Sequence, residues 1–181
     1  MQSDEQLIGL YLKGDEHSLE VLIDRHAGHI FNFIHQYIKN SEQAEDLTQE
    51  TFIKVWKNIK KFDIKKSFRV WLFQIARNTT IDFLRKKKSI TFSELEKNDG
   101  EEFDAIDDSL NPEEILEKKS SEDKITGALE KISDKYRSVI TLYYREGFNF
   151  REISEITKQP LDTIKSRHRR ALGELRRLLS K

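Results

Sequence analysis

Residues 147–179 read GFNFREISEITKQPLDTIKSRHRRALGELRRLL, and the fold turns on where this stretch breaks. A short helix from Asn149 to Thr157 sets Ile153 and Ile156 inward, the KQP at 158–160 ends it, and a longer helix starts behind the proline. That is the layout of a helix-turn-helix. On the second helix Ile164, His168, Ala171, Leu172, Leu175 and Leu179 recur at spacings of three and four and form the inward stripe. At about 100° per residue, Asp162, Ser166, Arg169, Arg170 and Gly173 fall on the opposite face, with Lys165 and Arg167 at its margins. Guanidinium forks, an ammonium and a hydroxyl near the N-terminal end of the helix, the end that enters a major groove, point to duplex DNA. His168, on the apolar side, reads as a packed residue and not as a ligand. Arg176 and Arg177 suit phosphate contacts or the negative end of the helix dipole.

The cationic end sits in a chain whose 32 Lys and Arg balance 32 Asp and Glu. The balance hides a segregation. Residues 1–87 hold 14 cations and 12 anions, residues 88–123 hold 4 and 13, and residues 124–181 hold 14 and 7. The middle piece is acidic and poor in large apolar side chains, so it buries too little surface to offset its ordering entropy and reads as a flexible linker. The flanks read as helical, because Gly and Pro are scarce and no strand pattern appears. The expected architecture is therefore all-α: two small helical domains, 1–87 and 124–181, joined by an acidic linker over 88–123. Ser3 with Gln6, Asn40 with Gln43 and Asn149 with Glu152 have capping-box spacing and mark three helix starts. Further helices are expected over 15–39, 67–87, 113–131 and 134–146. With 181 residues, 36% apolar and 35% charged, a large single-core enzyme is disfavoured. The absence of cysteine removes disulfides and cysteine-based zinc sites. With no signal-peptide core or spanning stretch, a soluble cytoplasmic protein is expected.

Two segments of the N-terminal piece are informative. In NSEQAEDLTQETFIKVWKNIKKF (40–62), Ala44, Leu47, Thr51, Val55 and Ile59 form an inward stripe, which leaves Asp46, Gln49, Glu50 and Ile53 outward and Trp56 at the edge. Ile53 and Trp56 beside acids make either a protein-docking patch or the seat of a neighbouring helix; periodicity leaves both open. In KKFDIKKSFRVWLFQIARNTTIDFLRKKK (60–88), Phe68, Trp71, Leu72, Ile75, Thr79 and Phe83 share one stripe while Val70, Phe73 and Ile81 lie on the other side. A helix apolar on both sides is packed between neighbours. Basic residues surround it, among them Lys60, Lys61, Lys65, Lys66, Arg69 and Arg77. Cations interleaved with rings suit single-stranded nucleic acid, with Lys and Arg the safer contacts and Trp71, Phe68 and Phe83 better read as core.

Taken together, AEDLTQETFIKVW, FRVWLFQIARNTTIDFLRK, the acidic linker and EISEITKQPLDTIKSRHRRAL closely resemble, in order and spacing, regions two and four of bacterial sigma factors of the extracytoplasmic-function class. The resemblance covers nearly the whole chain. It implies that Asp46, Gln49, Glu50, Ile53 and Trp56 dock on the clamp coiled coil of the largest subunit of core RNA polymerase. It implies that Lys60, Lys61, Lys65, Lys66, Arg69, Arg77 and Asn78 bind the promoter minus-10 element, with capture of a flipped base. It further implies that Lys165, Ser166, Arg167, Arg169 and Arg170 read the minus-35 element as duplex, that the linker threads the polymerase channel, and that an anti-sigma partner, often membrane-anchored, holds the chain in check. Lys158 and Asp162 depart from the pattern, standing where glycine or small residues are common, and Ser154 replaces a frequent alanine.

No phosphate-binding glycine loop or zinc-ligand cluster is present, and the five histidines lack metal spacing, so no catalytic residue, cofactor, metal or small-molecule substrate is expected. The alternative is a stand-alone helix-turn-helix regulator with an N-terminal dimerisation domain, which calls for palindromic half-sites.

Overall fold

The computed structural model describes residues 2–88 and 122–180. Regular structure among the described residues is entirely helical: α1 (Asp4–Tyr11), α2 (Glu16–Ile38), α3 (Ser41–Asn58), α4 (Phe68–Lys88), α5 (Glu122–Lys131), α6 (Asp134–Ile140), α7 (Phe150–Thr157) and α8 (Leu161–Leu179). They belong to two compact units, one built on the first four helices and one on the later ones. Most of the expected linker, and residues 113–121 of the helix expected over 113–131, lie outside the described residues.

In the N-terminal unit the start of α1 is a closed capping box: Ser3 Oγ accepts from the Gln6 amide at 3.2 Å, and Gln6 Oε1 accepts from the Ser3 amide at 2.8 Å. α2 stops at Ile38 because Lys39 turns left-handed (φ 52°), its amide donating to the His35 carbonyl at 2.9 Å. Asn40 then caps α3 by accepting from the Gln43 amide at 2.8 Å. α4 packs against α1, α2 and α3, which accounts for its apolar residues on both sides. Phe68, Val70, Leu72 and Phe73 are buried, and the Phe73 ring meets Phe33 of α2 edge-on at 5.3 Å. Each such buried ring or aliphatic chain contributes about 1.5–3 kcal/mol. Two acids of α1 act at a distance. Glu5 accepts from the Phe68 amide at the start of α4, 3.3 Å away, and Asp4 accepts from Arg25 and from His26 Nε2 at 2.7 Å, both on α2. Partial burial opposes ionisation of Asp4, but the bonds and charges of His26 and Arg25 outweigh it and hold the carboxyl below its ordinary value.

In the C-terminal unit α8 packs on α5 and α6 through Ala128, Ile132, Tyr136, Ile140, Ala171 and Leu175. Arg137 is the buried polar link. Its guanidinium donates to the carbonyls of Leu129 (2.7 Å), Glu130 (2.9 Å) and Ile132 (3.0 Å) and to Asp134 Oδ1 (2.9 Å), so one side chain satisfies the open carbonyl end of α5. The helix expected over 134–146 is α-helical only to Ile140. It continues as a wider π turn over Thr141–Arg145, closed by the Glu146 amide on the Thr141 carbonyl at 3.0 Å and ended by Gly147 at φ 70°.

Candidate nucleic-acid interface and docking face

The helix-turn-helix is assembled from α7, the turn 158–160 and α8. Asn149 closes the third capping box, accepting from the amides of Arg151 and Glu152 at 3.0 Å while Glu152 accepts from the Asn149 amide at 2.8 Å. Ser154 is more than a substitute for alanine. Its hydroxyl donates to the Gln159 carbonyl at 2.6 Å, and the Gln159 amide returns to the Ser154 carbonyl at 3.2 Å, which pins the turn to α7. Lys158 lies between them with φ 55°.

On α8, Ile164, His168, Ala171 and Leu175 are buried, while Leu172 and Leu179 are half-buried at the edges of the same stripe. Opposite them Asp162, Lys165 and Arg169 are exposed, and Ser166, Arg170 and Gly173 are half-buried. Arg167 is also half-buried, with its Nε buried, so of the five predicted readers only Lys165 and Arg169 are exposed. His168 is packed as expected: its ring lies among Tyr143 (5.0 Å), Tyr144 (5.6 Å, stacked) and Phe150 (5.0 Å). The π turn therefore supplies two of the three rings that hold α8 from below. Nε2 of His168 is buried without a hydrogen-bond partner, and burial pushes the imidazole below its ordinary value.

On α3 the inward stripe is buried throughout, and Asp46, Gln49, Glu50, Ile53 and Trp56 are all exposed. Ile53 retains 49% of its surface and Trp56 54%, so within the described residues no neighbouring helix is seated on them. Glu50 is not a free acid: it pairs with Lys54 at 2.7 Å, one turn along the helix, and Lys54 Nζ also donates to Thr79 of α4 at 3.0 Å. The spacing of four residues was the signal for that pair.

The third set surrounds the start of α4. Lys60, Lys61, Lys65, Lys66 and Asn78 are exposed, and Arg69 and Arg77 are half-buried. Asp63 shapes the connecting loop by accepting from the Lys65 amide at 3.1 Å. The aromatic residues divide. Phe68 is fully buried, as expected for core, whereas Trp71 and Phe83 are only half-buried, and Trp71 meets Phe62 with ring centroids 5.0 Å apart. Sequence reasoning passed over Arg137, Asp4 and Glu5: the spacing of three could have signalled the Arg137–Asp134 pair, but no helical period indicates the carbonyls that Arg137 binds or the partners of Asp4 and Glu5. Among the described residues no group of His, Cys, Asp and Glu could hold a metal ion, and no helix is long and apolar enough to cross a membrane.

The same two segments stand out in comparison with known proteins. Residues 22–90 match the family model for sigma-70 region 2, and residues 128–177 match that for sigma-70 region 4. Over 171 residues the chain is 34% identical to the ECF RNA polymerase sigma factor SigW of Bacillus subtilis, covering 92% of this chain and 91% of that one. The chain belongs to the extracytoplasmic-function sigma factors. Among solved structures, CnrH in complex with the cytosolic domain of CnrY shares the fold (TM-score 0.70, 21% identity, 99% of this chain and 98% of that one). The sigma factor RpoE in complex with the anti-sigma factor NepR, from Bartonella quintana, is similar at TM-score 0.65 and 26% identity, over 89% of this chain and 96% of that one. As a sigma factor the chain binds core RNA polymerase and promoter DNA for transcription initiation. The region-two match, which a stand-alone helix-turn-helix regulator would not need, sets that alternative aside.

Proposed function

We propose that this sigma factor divides its work among three surfaces within two domains, 1–87 and 124–181. The outward face of α3, with Asp46, Gln49, Glu50, Ile53 and Trp56, docks on the clamp coiled coil of the polymerase largest subunit. Lys60, Lys61, Lys65, Lys66, Arg69, Arg77 and Asn78 hold the opened minus-10 strand, where half-buried Trp71 gives a ring a base can approach. Lys165, Ser166, Arg167, Arg169 and Arg170 read the minus-35 duplex, with Lys165 and Arg169 the exposed pair of the set. The chain contributes positioning and no catalytic group of its own, and it works in the cytoplasm, held near the inner membrane when a membrane-anchored anti-sigma partner covers it.

The observation that carries this reading is the exposure of Ile53 and Trp56 on a helix whose opposite face is fully buried. A soluble chain that leaves an isoleucine and a tryptophan one turn apart in water has a use for them in a protein interface. The test is transcription in vitro with purified core RNA polymerase, with and without the chain, on a pool of promoter-sized fragments at fixed salt. Chain-dependent transcripts from fixed start sites are expected. Retention of DNA with neither new transcripts nor association with core would sink the proposal.

A further inference from the structure

Two lysines among the described residues adopt the left-handed conformation that favours glycine: Lys39 (φ 52°) and Lys158 (φ 55°). The conformation alone assigns nothing, since Lys39 simply ends α2. Lys158 differs in its place. It is exposed, it sits in the turn between the two helices of the helix-turn-helix, and none of the described residues gives its ammonium a hydrogen bond or an ion pair. Asp162, in the first turn of α8 and also exposed, does not pair with it. Ser154 and Gln159 lock the turn on either side, so the lysine stem leaves a fixed point.

We propose that Lys158 is a backbone-phosphate contact of the minus-35 interface, a positioning residue that fixes α8 on the duplex without reading sequence. The inference rests on the minus-35 role of α8. In this docking geometry the recognition helix enters the major groove N-terminus first while the preceding helix crosses the backbone, so the turn between them passes over phosphates. A lysine suits that location because a point charge on a flexible stem needs no fixed fork geometry. A glycine would relieve the left-handed backbone but would bring no charge. Lys158 stands four positions before Asp162, whose carboxylate would repel the same phosphates.

A phosphate contact of this kind adds about 0.9 to the slope of log affinity against log salt and weakens binding equally on all sequences when lost. The test uses the full chain assembled with core RNA polymerase, on the promoter fragment recovered by the transcription selection, with affinity read across a salt series. Lys158→Gln is expected to bind about eightfold more weakly at 0.1 M salt, the two curves converging toward 1 M, with a slope shallower by about 0.9. Lys158→Gly is expected to lose affinity in the same way while its C-terminal unit melts at a higher temperature, a split that a merely structural lysine would not give. Lys39→Gln is the matched control and should leave the slope unchanged. If Lys165→Ala weakens binding and Lys158→Gln does not, the inference is overturned. If Lys165→Ala has no effect either, the minus-35 reading of α8 fails as well.

Discussion

α3 and α8 are built on one plan and end in opposite surfaces. Each buries a stripe at spacings of three and four and turns the other face to water, yet α3 leaves Ile53 and Trp56 exposed while α8 exposes Lys165, Arg169 and Asp162 and keeps its large apolar side chains buried or half-buried. The stripes fold the chain; the outward residues choose the partner. An apolar pair rimmed by acids gains free energy by excluding water and depends little on salt. A cationic face works through counterion release and through forks that match base edges, so its affinity falls steeply as salt rises.

The sharpest way to break the comparison is Trp56→Ala or Ile53→Glu. Either should weaken association with core polymerase by about 3 kcal/mol, with little salt dependence and folding stability unchanged within about 0.5 kcal/mol, measured by binding titration and thermal melting. Next comes Arg169→Ala, expected to cost about 2 kcal/mol of discrimination between the promoter and a fragment with an altered minus-35 element, while core association stays intact. Helix caps should be indifferent to the division of labour. Ser3→Ala in one unit and Asn149→Ala in the other should each destabilise their own unit by about 1 kcal/mol in hydrogen exchange, whichever partner that unit serves.

The gentlest effect is one of pH, and it separates the units through His168 in one and Asp4 in the other. His26 has a carboxylate partner in Asp4, whereas His168 lies among rings with Nε2 unpartnered. The folded unit holds His168 below its ordinary value of 6.5, so the unfolded chain takes up the proton first; the stability tied to it is complete above pH 6.5 and drains as the pH falls below that value. Asp4 is also held below its ordinary value, 3.8, so its contribution persists above that pH and is lost only under more acid conditions. As the pH falls below 6.5 the C-terminal unit should therefore loosen first in hydrogen exchange, and His168→Phe should flatten the difference.

Much of this was legible because it is periodic or local. The stripe from Ala44 to Ile59, the breaks at Lys158–Pro160 and the helix caps at Ser3, Asn40 and Asn149 depend on residues within a turn or two of one another. The dual role of α4 could also be read, since apolar residues on both sides require neighbours on both sides. What could not be read depends on chain segments meeting. Asp4 reaches Arg25 and His26, Glu5 reaches an amide 63 positions away, and Arg137 turns back to the carbonyl end of α5. The π turn at Thr141–Arg145 hid for another reason: its sequence keeps helical spacing, and only the rings around His168 show what the wider turn accomplishes. For Ile53 and Trp56 the pattern left burial and exposure equally open, and the answer came from what α3 packs against.

The central claim is that the face of α3 serves polymerase and the face of α8 serves DNA. Affinity for purified core RNA polymerase, measured without DNA for the unaltered chain, Trp56→Ala and Arg169→Ala, tests it most directly. Loss of binding in Trp56→Ala alone is the predicted result. Unchanged binding in Trp56→Ala, or an equal loss in Arg169→Ala, would contradict the assignment of the two faces.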